Sequence, residues 1–399
     1  MSTMKKLSDV APHKTKKKPR ADSAEHDDKT HHKTQTKNRL GLSSRRNKII
    51  AICAVGLLLA IGIILFFLFK LNNNKLAVNG FSKNAATPTI YYSPLTGREV
   101  SNSADTKLPV LAVMIENSPE ARPQSGLKDA GVVFEAVAEG GITRFIALYQ
   151  ESEPALLGPV RSIRPYYLDW AAAFDPAIAH VGGSPEALNM IKTGSYGVDL
   201  DQSSNSSAYW RTKDRYSPHN VYTDYSHLRD LAESKGNSES NFTGFVREDV
   251  ENATVANDDN ADEATTSTKE SATSINFAVS TGQFAVSYTY DSDSKTYKRF
   301  QGNVAHEDRE NGQIAPEVVI AIRVNQSLQP DGVHTAIGST GSGDCYIFQD
   351  GTVTAGTWSK SSSTDQIKFS DQTTGETIKL KRGQTWITAV GEGKDISWQ

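Results

Sequence analysis

The 399-residue sequence predicts an α/β or α+β domain followed by a β-rich domain, both preceded by one transmembrane helix and a disordered basic tail. Three observations predict this arrangement. An uncharged apolar run occupies Ile49–Phe69, strand-like and helix-like segments alternate between residues 91 and 235, and short β-type runs separated by turn dipeptides fill residues 275–399.

The tail, residues 1–48, is rich in Lys, Arg and His ("HKTKKKPR", "SSRRNK") and has no aromatic residue, a composition too polar to bury a core. The run after it, "IIAICAVGLLLAIGIILFFLF", lacks charge and proline, and about 21 residues at ~1.5 Å each span ~31 Å, the thickness of a bilayer core. It reads as one membrane-spanning helix. It is too long, and begins too far along the chain, for a cleaved leader. The basic flank orients the N-terminus to the cytoplasm and everything beyond Lys70 to the outside. Acylation of Cys53 is not expected, because bulky Ile52 precedes it and the apolar stretch follows the cysteine.

Cys345 is the only other cysteine and lies beyond the apolar run, so no intrachain disulfide is expected. A cysteine-poor ectodomain of this size points to a bacterial envelope. The net charge of -3 conceals an asymmetry, since a basic tail leaves the ectodomain acidic. That argues against nucleic acid as a partner of the ectodomain.

Residues 70–90, rich in Asn, Ser and Thr, read as a stalk. Compact sequence then runs from 91 to 235. "VLAVMIEN" is a buried strand, and "GVVFEAV" and "ITRFIALYQ" form a hairpin turned at "AEGG". "IRPYYLDWAAAF" is a helix with Ser162 or Arg164 near its start and Pro165 in the first turn. "AIAHVGGSPEALNMIKTG" reads as strand, turn and helix, with Ser184 as N-cap and Gly194 at the stop. Residues 236–274 are acidic and polar apart from "NFTGFV" and read as a disordered linker. From 275 the runs "INFAVSTGQFAVSYTYD", "TYKRFQG", "EVVIAIRV", "DCYIFQDGTVTAGTWSK" and "TIKLKRGQTWITAV" alternate with turns at Asp350-Gly351, Thr374-Gly375 and Arg382-Gly383. Trp358 and Trp386 are expected in its core.

The motifs "MIENSPEARPQSGLKDAGVVFEAVAEGGITRF", "GPVRSIRPYYLDWA", "AHVGGSPEAL", "RYSPHNVYT", "SYTYDSDSKTYKRFQGNVAHED" and "DGTVTAGTWSK" with "GQTWI" resemble the YerB-like family of bacterial cell-surface lipoproteins. The resemblance covers about Tyr91 to Val390. It implies two domains outside the membrane, in a family of unknown function, and so supplies fold and location more than chemistry. The chain differs in its anchor, a transmembrane helix standing where the family has a lipidated cysteine.

Charged residues gather at the predicted strand ends and turns of the first domain, where sites form in open sheets. Arg122, Arg144, Arg161, Arg164 and Arg215 are the candidate anion-binding residues, since a guanidinium binds phosphate or carboxylate through two parallel hydrogen bonds. Arg161 and Arg164 would act beside the free N–H groups of a helix start. Glu139 and His219 are the catalytic candidates, with Glu139 or Glu135 as partner of His219. Arginines of this kind also serve as scaffold, and Arg144 would then pair with a glutamate across the hairpin end. His180, His219, His227, His306 and His334 are scattered without helical metal spacing, so no metal site or cofactor is expected.

"RFIALYQESEPALLGPVRSIRP" and "AIAHVGGSPEALNMIKTGSYGVDLD" also show a fainter similarity to the LytR-CpsA-Psr enzymes, which move polyprenyl-pyrophosphate-linked glycopolymers to the wall. That likeness implies a glycopolymer transferase or hydrolase using Mg²⁺. The sequence lacks the aspartate beside Arg144 or Arg161 that such a metal would need. The leading expectation is an envelope protein binding an anionic wall component or a partner protein without turnover.

Overall fold

Every residue of the apolar run Val110–Glu116 is buried as strand β1, because both faces of the sheet it joins are covered. The computed structural model describes residues 61–66, 68, 70, 89–249 and 270–399. The chain divides into two compact units, Met1–Ala86 and Thr87–Gln399. In the first, the described residues are helical and exposed, and no helix among described residues is long and apolar enough to cross a membrane. The expected tail, most of the expected spanning run and stalk, and residues 250–269 of the expected linker lie outside the described residues.

In the second unit β2 (Val132–Glu139) and β3 (Ile142–Tyr149) form the expected hairpin. Gly140 and Gly141 close it at φ 57 and 77, a left-handed pair that glycine adopts without steric cost. β3 also pairs antiparallel with β1, and β4 (Pro176–His180) and β5 (Val198–Asp201) continue parallel from β1. Helix α1 (Pro165–Ala172) starts at Pro165 after Arg164, and α2 (Pro185–Ile191) is capped by Ser184, whose Oγ accepts from Ala187 N. Helix α3 spans Tyr225–Ser234.

The second half supplies β6 (Glu270–Ser271), β7 (Ser274–Phe277), β8 (Val286–Asp291), β9 (Thr296–Gln301), β10 (Val304–Ala305) and β11 (Val318–Val324). After them come β12 (Gly341–Gln349), β13 (Thr352–Lys360), β14 (Lys368–Asp371), β15 (Thr385–Gly391) and β16 (Ile396–Trp398). Strand β15 runs parallel to β11 on one side and to β2 on the other. The result is one 11-stranded sheet in the order β6-β13-β12-β11-β15-β2-β3-β1-β4-β5, with β14 beside β13. The two halves expected as separate domains therefore share a continuous sheet. A second sheet, β10-β9-β8-β7-β16, belongs to the C-terminal half.

Alternate residues of the large sheet face two sides. One side packs on α1, where Phe134 stacks on Trp170 at 5.5 Å. The other packs on α3 in the first half and on the small sheet in the second. Trp358 and Trp386 lie in the core as expected. The described ends of the expected linker, 236–249 and 270–274, belong to the fold. Phe242 and Phe245 pack edge-on against Phe174 at 5.5 and 5.8 Å, and Arg247 donates to Leu95 O, Lys381 O and Thr385 Oγ1. Two aromatics and one arginine thus hold residues 242–247 on the fold despite their polar surroundings.

Candidate functional site at the strand ends

Loop 157–163 crosses the end of β1. Arg161 N donates to Met114 O at 2.9 Å, and Arg161 O accepts from Val181 N after β4 at 3.1 Å, so Arg161 is fixed between two parallel strand ends. Gly158 permits this approach at φ 146, because a Cβ there would meet Tyr222 Cδ1 at 2.9 Å and Val221 O at 3.0 Å.

Two ionic clusters stand here. In the first, Glu139 at the end of β2 receives Arg144 Nη2 and Arg164 Nη2, each at 2.6 Å. Arg144 also donates to Ser162 O and Arg164 to Ile163 O. Both arginine side chains are buried, at 4% and 6% exposure. Burial raises the Glu139 carboxyl, but the two guanidiniums outweigh it and hold the group below its ordinary range. Its contribution to stability is present above the ordinary carboxylate range and lost as pH falls through the lowered value. This is the scaffold alternative, Arg144 paired with a glutamate across the hairpin end, and the glutamate is Glu139. Arg164 turns back onto Ile163 O and Glu139, so it does not join Arg161 in an anion pocket at the helix start.

The second cluster centres on Glu116, 3% exposed. Its Oε1 accepts from Ser118 Oγ at 3.0 Å and from His219 Nδ1 at 2.9 Å. Arg161 Nε lies 3.3 Å from the same oxygen, at an ion-pair distance but an angle that makes no hydrogen bond. Glu116 Oε2 is buried without a partner among described residues. Arg161 and His219 are the outer members, with side chains 25% and 23% exposed. The expected partner of His219, Glu139 or Glu135, is corrected to Glu116. Glu139 is held by its two arginines and Glu135 faces the other half of the molecule. With Nδ1–H on Glu116, the Nε2 of His219 is left as the acceptor of the ring.

Comparison with known proteins follows the same division of the chain. Residues 95–238 match the N-terminal domain, and residues 273–387 the C-terminal domain, of the family described as "Protein of unknown function (DUF3048)". The "Putative lipoprotein YerB" of Bacillus subtilis (strain 168) is 31% identical over 306 residues, which cover 75% of this chain and 86% of that protein. This chain belongs to the YerB-like DUF3048 family. A crystal structure of the YerB protein from Bacillus subtilis matches with a TM-score of 0.66 at 29% identity, over 77% of this chain and 99% of that one.

Within the YerB-like fold, the two matched halves meet at a third ionic group, this one fully buried. Glu135 and Arg299, both fully buried, join through Nη2 at 3.1 and 2.9 Å. Arg299 also donates to Tyr288 Oη and His306 Nδ1 and lies 4.5 Å from the Trp386 ring centre. Trp386 Nε1 and Thr143 Oγ1 donate to the Glu135 carboxylate. Sequence reading did not join Arg299 to Glu135 or Glu116 to His219, because these partners lie 164 and 103 residues apart.

The remaining candidates stand apart. Arg122 donates to Asn117 Oδ1 and O and to Gln283 O, and lies over the Phe284 ring. Arg215 donates to Glu120 O and Pro123 O. Both hold loop backbone. Among the described residues no group of three or more His, Cys, Asp or Glu side chains is placed to hold a metal ion.

His306 is expected to make the stability of this chain pH-dependent. Nδ1 accepts from Arg299 Nε at 2.8 Å, so Nε2 carries the proton and donates to Gln124 Oε1 at 3.0 Å. Burial, followed by the charges of Arg299 and Arg122, pushes the ring well below its ordinary value of 6.5. As pH falls below about 6.5 the unfolded chain takes up this proton and the native one does not, so stability drops by up to ~1.4 kcal/mol per pH unit. Urea unfolding between pH 7.5 and 5.5 should show this loss, and His306→Gln should flatten it. An unchanged slope in His306→Gln would contradict the assignment.

Proposed function

We propose that this chain is a single-pass envelope protein, N-terminus in the cytoplasm, whose ectodomain binds an anionic wall component or partner through Arg161 and His219 without turnover. The uncharged run Ile49–Phe69 with its basic flank supports the anchor and orientation. The similarity to a protein named as a lipoprotein supports an extracytoplasmic envelope location. One observation carries the binding reading. Of the five candidate arginines, Arg161 alone is partly exposed and makes no side-chain hydrogen bond among the described residues. Its guanidinium keeps donors for a phosphate or carboxylate while Glu116 orients it.

A second reading rests on the Glu116–His219 contact. A carboxylate on Nδ1 with Nε2 left as acceptor is the arrangement of a general base, which an envelope glycopolymer transferase or hydrolase would use on a polyprenyl-pyrophosphate-linked substrate, with Mg²⁺ as an added requirement. Titration calorimetry of the purified full chain with pyrophosphate and a short polyprenyl phosphate tests the binding. Incubation with a polyprenyl-pyrophosphate-linked saccharide, with and without Mg²⁺, tests the chemistry. Binding without release of polyprenyl phosphate is the expected result. Release that disappears in His219→Ala would replace it with the enzymatic reading.

A further inference from the structure

A cavity of about 450 Å³ opens between loop 119–123 of the first half and the β9–β10 hairpin of the second. Its size falls within the range of ligand pockets, roughly 300–1,000 Å³. Pro119, Pro123, Val304 and Ala305 give it apolar walls, with Val304 68% exposed. Arg122 lines one side, its guanidinium carbon 5.1 Å from the Phe284 ring centre. Gln301 also lines it. That side chain is 96% buried (4% exposed), yet neither Oε1 nor Nε2 has a hydrogen-bond partner among the described residues. A buried carboxamide left in this state is destabilising, a cost that a core leucine would avoid.

The adjoining strand is also incomplete. β10 is the terminal strand of its sheet and pairs only with β9. Gln301 and Val304 flank the two-residue turn, and His306 N donates to Arg299 O. Between these bonded pairs Ala305 faces Phe300 in the non-hydrogen-bonded position, so its N–H and C=O point away from β9.

We infer that this cavity is a peptide-binding site, taking a short extended segment whose backbone amide pairs with the Gln301 carboxamide and whose strand edge adds to β10. A carboxamide offers one acceptor and one donor group, and a peptide group is its neutral complement. The open edge at Ala305 supplies the second recognition element, as in strand addition, and the proline and valine walls suit an apolar side chain. An N-acetylated sugar carries the same amide, but its hydroxyls would meet those apolar walls and leave the strand edge unused. The cavity shares no lining residue with the Arg161 and His219 cluster, and the inference does not rest on that cluster's reading.

A random heptapeptide display library is selected against the purified full chain, and the enriched peptides are measured by fluorescence anisotropy beside chitotetraose. Peptides should be enriched, and Gln301→Leu and Ala305→Pro should each weaken them at least tenfold, proline being tolerated where the edge N–H is unpaired. Gln301→Leu should melt at or above the wild-type temperature, because it removes two unpartnered polar atoms. No enrichment, binding of chitotetraose alone, peptides held by Gln301→Leu within threefold of wild type, or a Gln301→Leu chain that melts several degrees lower would each overturn the inference.

Discussion

Replacement of Arg299 by methionine is expected to cost about 3–5 kcal/mol of stability, read as a lowered midpoint in urea unfolding. The side chain is fully buried and binds Glu135, Tyr288 and His306 at once. Without it the Glu135 carboxylate keeps, among the described residues, Trp386 Nε1, Thr143 and Thr388 as donors, and only Arg122, which makes no hydrogen bond to it, as an opposing charge. The loss is therefore mostly that of a buried charge with no bonded counter-ion. Pairing the change with Glu135→Leu should recover most of it, since an apolar pair of similar volume avoids the desolvation of both ions. A single variant within about 1 kcal/mol of wild type would show that the two halves do not depend on this contact.

Much of the local structure was legible in the sequence. The apolar run of β1, the Gly140-Gly141 turn and the Ser184 cap each follow from chemistry within a few residues, and each stands where the pattern puts it. The same holds for the Arg144–Glu139 pair, whose members sit five residues apart across one hairpin. What escaped was long-range. Nothing local in "GQTWITAV" says that β15 inserts between β11 and β2, because a buried strand carries the same apolar run wherever it pairs. That insertion joins the halves and brings Arg299 onto Glu135. His219 likewise meets Glu116 across 103 residues of sequence, and nothing local distinguishes Glu116 from Glu135 or Glu139 as its partner. Polar composition misled at 242–247, where Phe242 and Phe245 hold a segment whose other residues suggest a linker.

The candidate arginines divide by what surrounds them. Arg144 and Arg164 are consumed by Glu139, whereas Arg161 is oriented by Glu116 and keeps its outer nitrogens. Substituting the two classes should therefore have opposite effects. Arg144→Ala removes hydrogen bonds from a buried guanidinium and should cost about 2 kcal/mol of stability. Arg161→Ala removes a partly exposed cation and should leave the melting temperature within a few degrees, while an anion loses a charge-assisted contact of about 1.5–3 kcal/mol, roughly 10- to 100-fold in affinity.

The decisive measurement is pyrophosphate binding by the purified full chain, followed by calorimetry alongside thermal melting for wild type, Arg161→Ala and Arg144→Ala. The expected result is binding that Arg161→Ala weakens roughly 10- to 100-fold with little change in melting, and a lowered melting temperature in Arg144→Ala. Equal binding by wild type and Arg161→Ala, or an Arg161→Ala chain that loses stability as Arg144→Ala does, would contradict the account and leave both clusters as scaffold.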